Sequence, residues 1–91
     1  MTEIRRLVIT GLVQGVGFRY AMAAQARLHG VTGWVRNRRD GSVEAMVAGD
    51  AAQIGEMLAW SRFGPAGAAV DEVMVESACG EFSGFDLLPT A

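Results

Sequence analysis

The sequence contains no lysine, and its eight basic residues are all arginines. Schiff-base chemistry and a phosphate-binding lysine are both excluded by that absence. Cysteine is nearly as scarce: Cys79 alone cannot close an internal disulfide and has no cysteine or histidine near it for a metal site. His29 is the single histidine. A Ser-His-Asp triad would have to use it at the exit of a helix, where the ordinary role of a histidine is to face the negative end of the helix dipole. Bases are in deficit, with ten acids against eight bases, a net charge of −2 and a pI of about 5.2. That balance argues against a chain that holds nucleic acid by neutralising many phosphates. No apolar run approaches the ~20 residues of a membrane span. The start, Met1-Thr2-Glu3-Ile4-Arg5-Arg6, leads only into a short apolar stretch, not a signal peptide. The cytoplasm is the expected location, with neither a membrane nor a nucleic acid as partner.

What is present is a well-mixed apolar chain of 91 residues, 51% hydrophobic, enough for one core and one domain over residues 1–91. Arg5 to Thr10 is β-branched and apolar and stops at Gly11, which predicts a strand. Phe18, Met22 and Ala26 recur at four-residue spacing, with Ala21 and Leu28 widening the stripe and Gly30 as a stop, predicting a helix over Phe18–His29. Val31–Asn37 and Ser42–Gly49 alternate as strands around the turn signal Asp40-Gly41. Asp50 and Gln53 have capping-box spacing ahead of Ile54, Met57, Leu58 and Ser61, a second helical face that Gly64-Pro65 ends. Val70–Glu76 reads as a further strand and Phe82–Leu88 as an optional short last one. The order β-α-β-β-α-β predicts an α+β fold of the ferredoxin-like split type, an antiparallel sheet with both helices on one face. The methionines and Trp60 fall at positions suited to core packing.

Chemistry concentrates in Gly11 to Tyr20, Gly-Leu-Val-Gln-Gly-Val-Gly-Phe-Arg-Tyr. Gly15 and Gly17 can turn the backbone so that successive N–H groups face one concavity at a helix start, a nest for an anion. Arg19 would bring a planar five-donor fork matched to phosphate oxygens. The alternative is a plain strand-to-helix turn with an exposed arginine. Neither Gly-x-Gly-x-x-Gly nor the Walker pattern fits, because Tyr20 takes the third glycine position and no lysine follows. Asn37, at the end of the second strand, offers an uncharged amide that both donates and accepts. It is either a catalytic group or a turn-opening asparagine. Arg36, Arg38 and Arg39 flank it and could draw an anion toward the site. Without a nucleophile or a strong base, this pair suits a reaction whose leaving group is already good. An acyl phosphate qualifies, since its departing carboxylate has a conjugate-acid pKa of about 4.

Three motifs in order resemble the acylphosphatases, enzymes that hydrolyse the carboxyl-phosphate bond. They are Val13-Gln14-Gly15-Val16-Gly17-Phe18-Arg19, then Gly30 to Asn37 (Gly-Val-Thr-Gly-Trp-Val-Arg-Asn), then Asp40 to Ala45 (Asp-Gly-Ser-Val-Glu-Ala). Gly64-Pro65 and Phe82-Ser83-Gly84-Phe85 fall where the family has similar residues. The resemblance implies the ferredoxin-like fold, phosphate binding by Gln14, Gly15, Val16, Gly17, Phe18 and Arg19, and Asn37 as the residue that orients the water. It implies no metal or cofactor, and a small-molecule acyl phosphate as substrate with help from that substrate in accepting the water's proton; a monomer is the expected state, although no motif specifies it. Leu12 and Ala21 stand where many members carry an arginine and a bulkier aromatic residue, and Arg38-Arg39 where an apolar-proline pair is commoner. Other readings are a carbamoyl-phosphate-handling module like the one that begins hydrogenase-maturation carbamoyltransferases, where a proline follows the loop arginine in place of Tyr20, and a ferredoxin-like RNA-binding or regulatory module.

Overall fold

The computed structural model describes Met1–Ala91. Its elements are β1 (Glu3–Leu12), α1 (Phe18–His29), β2 (Thr32–Asn37), β3 (Val43–Gly49), α2 (Ala51–Ser61), β4 (Ala69–Ser77) and β5 (Phe85–Leu87). The sheet order is β4-β1-β3-β2-β5. The first four strands pair antiparallel as the alternation predicts. The optional last strand is present and adds parallel to β2, which makes the sheet mixed. Its direction follows from its route: β4 ends beside the start of β1, and β5 begins beside the start of β2, so the chain crosses one end of the sheet and turns back.

One face of the sheet carries Leu7 and Ile9, Val35, and Val43, Ala45 and Val47, all fully buried. These alternate positions form one core with Phe18, Met22, Ala23 and Ala26 of α1, Ile54 and Met57 of α2, and Phe85. Helix α1 has the predicted bounds, and the stripe Phe18–Met22–Ala26 is its buried face. Leu28, by contrast, is 75% exposed. At about 100° per residue it lies roughly 280° around the helix from Phe18, outside the arc that Met22, Ala23 and Ala26 continue. At the other helix, Asp50 and Gln53 close the capping box in both directions at 2.8 Å. The Gln53 Nε2 also donates to the His29 carbonyl at 2.8 Å, tying the end of α1 to the start of α2. Cys79 is exposed. Met22 and Met57 are core residues as the sequence suggests, but Met74 is 52% exposed because β4 is an edge strand.

The opposite face of the sheet is not covered by a helix. Its centre is Glu44, only 5% exposed, which accepts from Arg6 Nε at 2.7 Å and Arg36 Nε at 2.7 Å. Arg6 reaches on to Glu76 at 2.8 Å, and the Arg36 guanidinium lies 4.8 Å from the Trp34 ring centroid. Burial pushes the Glu44 carboxyl up, but hydrogen bonds from Arg36 and Arg6 outweigh it and hold the group below the ordinary glutamate range. A carboxyl whose folded pKa is depressed adds stability above its unfolded pKa of about 4.3 and loses it as pH falls through the folded value. Glu44→Gln is therefore expected to cost about 1–2 kcal/mol at pH 7, less than a fully buried pair because both arginines are part-exposed. The cost should shrink below pH 4. Urea denaturation of both proteins at pH 7 and pH 3.5 measures this, and a pH-independent difference would refute the linkage.

Candidate active site

Strands β1 and β2 both run antiparallel to β3, so their ends emerge on the same side of the sheet. The register Ile9↔Val43↔Asn37 places Asn37 two strand spacings from β1, about 10 Å. Beyond that line the chain of β1 continues into the glycine-rich loop and that of β2 into the hairpin. Between them lies an open cavity of about 230 Å³ lined by Val13, Gln14, Gly15, Gly17, Phe18, Arg19, Tyr20 and Asn37. Of the residues singled out from the sequence, Gln14, Gly15, Gly17, Phe18, Arg19 and Asn37 thus share one wall. Val16 does not line it, because its side chain packs against the core.

The loop's shape follows from its glycines. Gly15 and Gly17 have φ of 74° and 77°, and a Cβ at either would meet nothing within 4 Å. Left-handed backbone geometry alone, not crowding, selects glycine here. The result is a run of main-chain N–H groups from Gly15 through Arg19 with no acceptor inside the protein; the first main-chain donor to find one is Ala21, to the Gly17 carbonyl at 3.0 Å. Gly17 is also the N-cap of α1, without a side-chain cap and without an acid in the first turn. The positive end of the helix is therefore open to an anion.

Phe18 anchors this loop from below. It is 2% exposed, its ring centroid lies 5.2 Å from that of Trp60, and Gly64 closes over it so tightly that a Cβ there would stand 2.5 Å from Phe18 Cε2. Gly64-Pro65 therefore does more than end α2: it provides the flat wall against which the phenylalanine sits.

The polar side chains divide between those already paired and those left free. Gln14 Nε2 donates to the carbonyls of Arg38 at 2.7 Å and Ser42 at 2.8 Å, so the side chain fastens the loop to the hairpin and has no donor left for a ligand. The Asn37 carbonyl accepts from the Ala91 N–H at 3.0 Å, and the Arg39 N–H donates to the Ala91 carbonyl at 2.8 Å, while the Asn37 side-chain amide stays unpaired. Arg19 makes no ion pair; its guanidinium carbon lies 5.7 Å from the Tyr20 ring centroid. Of the three arginines flanking Asn37, Arg39 is exposed and makes no ion pair, while the other two differ from the sequence expectation. Arg36 is spent on Glu44 across the sheet and Arg38 lies 3.8 Å from Asp40, so neither offers a free charge to draw an anion. The Asp40 carboxyl is held below its usual range by hydrogen bonds from Ser42. Tyr20, at 67% exposure, was not among the site residues read from the sequence; its only signal there was its place next to Arg19 at a helix start.

A family model described as Acylphosphatase matches residues 5–87. An acylphosphatase of Albidiferax ferrireducens is 51% identical over 82 residues, covering 90% of this chain and 89% of that protein. Among solved structures, an acylphosphatase from Coxiella burnetii superposes with a TM-score of 0.92 at 32% identity, covering 96% of this chain and 93% of that one. A full-length HypF in a phosphate- and nucleotide-bound form superposes with a TM-score of 0.91 at 25% identity, covering 99% of this chain but 12% of HypF.

Removing the clamp should separate loop and hairpin without unfolding the core. Gln14→Ala is expected to lower stability by about 1–2 kcal/mol, the usual cost of lost hydrogen bonds at part-buried groups. Hydrogen exchange should rise more in residues 38–42 than in β1 and β3, where it follows only the global loss of stability. Unaltered exchange at the hairpin would show that Gln14 does not hold it.

Proposed function

The chain belongs to the acylphosphatase family, hydrolases acting on acid anhydrides, and on that premise we propose how its residues divide the hydrolysis of an acyl phosphate. The phosphoryl group lies in the loop, its oxygens taking the N–H groups from Gly15 through Arg19 and the fork of Arg19. Phe18 contributes its main-chain N–H and, through its ring, the seat of the loop. The side-chain amide of Asn37 accepts from a water and sets it in line with the bond to be broken. That water's oxygen attacks phosphorus, the bond from phosphorus to the bridging oxygen breaks, and its electron pair leaves with the carboxylate. The water's proton passes to a phosphoryl oxygen, since the cavity wall holds no carboxylate or imidazole to take it. No acid need assist departure, because a carboxylate is stable unprotonated near neutral pH. The rate comes from position and from charge stabilisation of the transferring group.

The observation that carries this reading is that the donors around the cavity are unspent: the loop N–H groups, the Arg19 fork and the Asn37 amide all lack partners within the protein. A capping side chain or an ion pair at this turn would have occupied these groups. The reading also takes the enzyme as a cytoplasmic monomer. No helix is long and apolar enough to cross a membrane. The outer edge of β4 carries Asp71, Glu72 and Glu76, acids that discourage pairing with a second copy.

Turnover of benzoyl phosphate by the purified chain tests the reading, and a folded protein with no turnover would end it. Arg19→Ala should abolish measurable activity together with competitive inhibition by inorganic phosphate. Surviving inhibition would mean that the backbone nest binds alone. Asn37→Ala should lower kcat by about 10² or more, as for the loss of one oriented polar group, while the inhibition constant for phosphate moves little. A large loss of phosphate binding there would assign Asn37 to the phosphoryl group instead of the water.

A further inference from the structure

We infer that Tyr20 is the acyl-group contact of this site and biases it toward substrates whose acyl group is a flat aromatic ring; the inference rests on the phosphoryl placement proposed above. It follows from which parts of the cavity wall remain for an apolar group. Val13 is fully buried and Phe18 is 2% exposed, so neither presents a surface. Gly15 and Gly17 have no side chains, Gln14 is engaged with the hairpin, and Arg19 and Asn37 offer polar atoms. Tyr20 alone among the lining residues combines a large apolar surface with 67% exposure.

Its position suits the task. The ring stands 5.7 Å from the Arg19 guanidinium carbon, beside the fork that would grip the phosphoryl oxygens. In an acyl phosphate the carbonyl carbon is one bridging oxygen away from phosphorus, so a group bound at that fork carries its acyl substituent to within the breadth of a side chain of the ring. An aromatic acyl group gains an offset or edge-to-face contact there that a methyl group cannot make. Because the contact exists before and during the reaction, it acts on substrate binding more than on turnover.

Benzoyl phosphate and acetyl phosphate, given to the wild-type chain, Tyr20→Ala and Tyr20→Phe, test this. In Tyr20→Ala the KM for benzoyl phosphate should rise about 3- to 10-fold relative to that for acetyl phosphate, the size of one aromatic contact. In Tyr20→Phe the ratio should return to the wild-type value, and the ratio of the two kcat values should change little. An equal rise in both KM values would mean that the ring only steadies Arg19 and would overturn the inference, as would an unaltered ratio. A wild-type chain that turns over neither substrate would remove the proposed function and this inference together, an outcome distinct from failure of the ratio alone.

Discussion

The site depends on one side-chain amide. The pairing of β1 and β2 with β3 ends at Ile9↔Val43↔Asn37; beyond it β1 stays in the sheet only through β4, and the loop and hairpin that follow are separate segments. Gln14 joins them with a single nitrogen, donating to Arg38 and Ser42 carbonyls on either side of the hairpin tip. A glutamate would have no donor to offer, and an asparagine is one methylene shorter. On the other flank, Ala91 pairs with Asn37 and Arg39 through the main chain. Held from both sides by groups other than its own amide, Asn37 keeps that amide free. Such support by neighbouring groups is what a positioning site needs, because an error of about 1 Å in placing a reactant is costly.

The distribution of arginines serves the same end. Arg6 and Arg36 neutralise a nearly buried Glu44 on the far face of the sheet, Arg5 lies 2.7 Å from Glu3, and Arg38 is near Asp40. Arg19 is left facing only an aromatic ring. With a net charge of −2 the molecule has no general field to attract anions. At the loop an uncapped helix start and an unpaired guanidinium coincide, and in the neighbouring hairpin Arg39 is exposed and without an ion pair. Glu44 shows the converse logic, since its desolvation is tolerable only with two guanidinium partners.

Local cues were legible in the sequence and distant partnerships were not. The bounds of α1 follow from four-residue spacing and Gly30, and the capping box from Asp50 and Gln53, because each cue lies within one helical turn of its effect. Leu28 is apolar and inside the same helix, yet its angle around the axis, roughly 280° from Phe18, takes it off the buried face. The elements of the loop, with its glycines, Arg19 and the helix start, could be seen in ten residues. Gln14's partners are 24 and 28 residues away, and the Glu44–Arg36 pair depends on knowing that Arg36 sits opposite Glu44 across the hairpin. The seat of Phe18 against Trp60 and Gly64 requires α2 to be packed first. The parallel pairing of β5 depends on where the crossover lands, which no local pattern encodes.

On the proposed reading the phosphoryl group is held largely by main-chain N–H groups, and that has a consequence for how such a site can vary. Most of its donors belong to the peptide backbone, so they persist under any substitution that preserves the left-handed turns at Gly15 and Gly17 and the start of α1. The demands on sequence therefore fall on a few positions with distinct physical roles: glycines for backbone geometry, Phe18 and Gly64 for the seat, Gln14 for the tie, and Arg19 and Asn37 for the two groups the backbone cannot supply. Tyr20 is bound by none of these demands. It follows Arg19 in the first turn, points to solvent, and supports no packing. A residue free of structural duty at the rim of a backbone-built site is where selection among acyl groups can change without disturbing the chemistry that all acyl phosphates share.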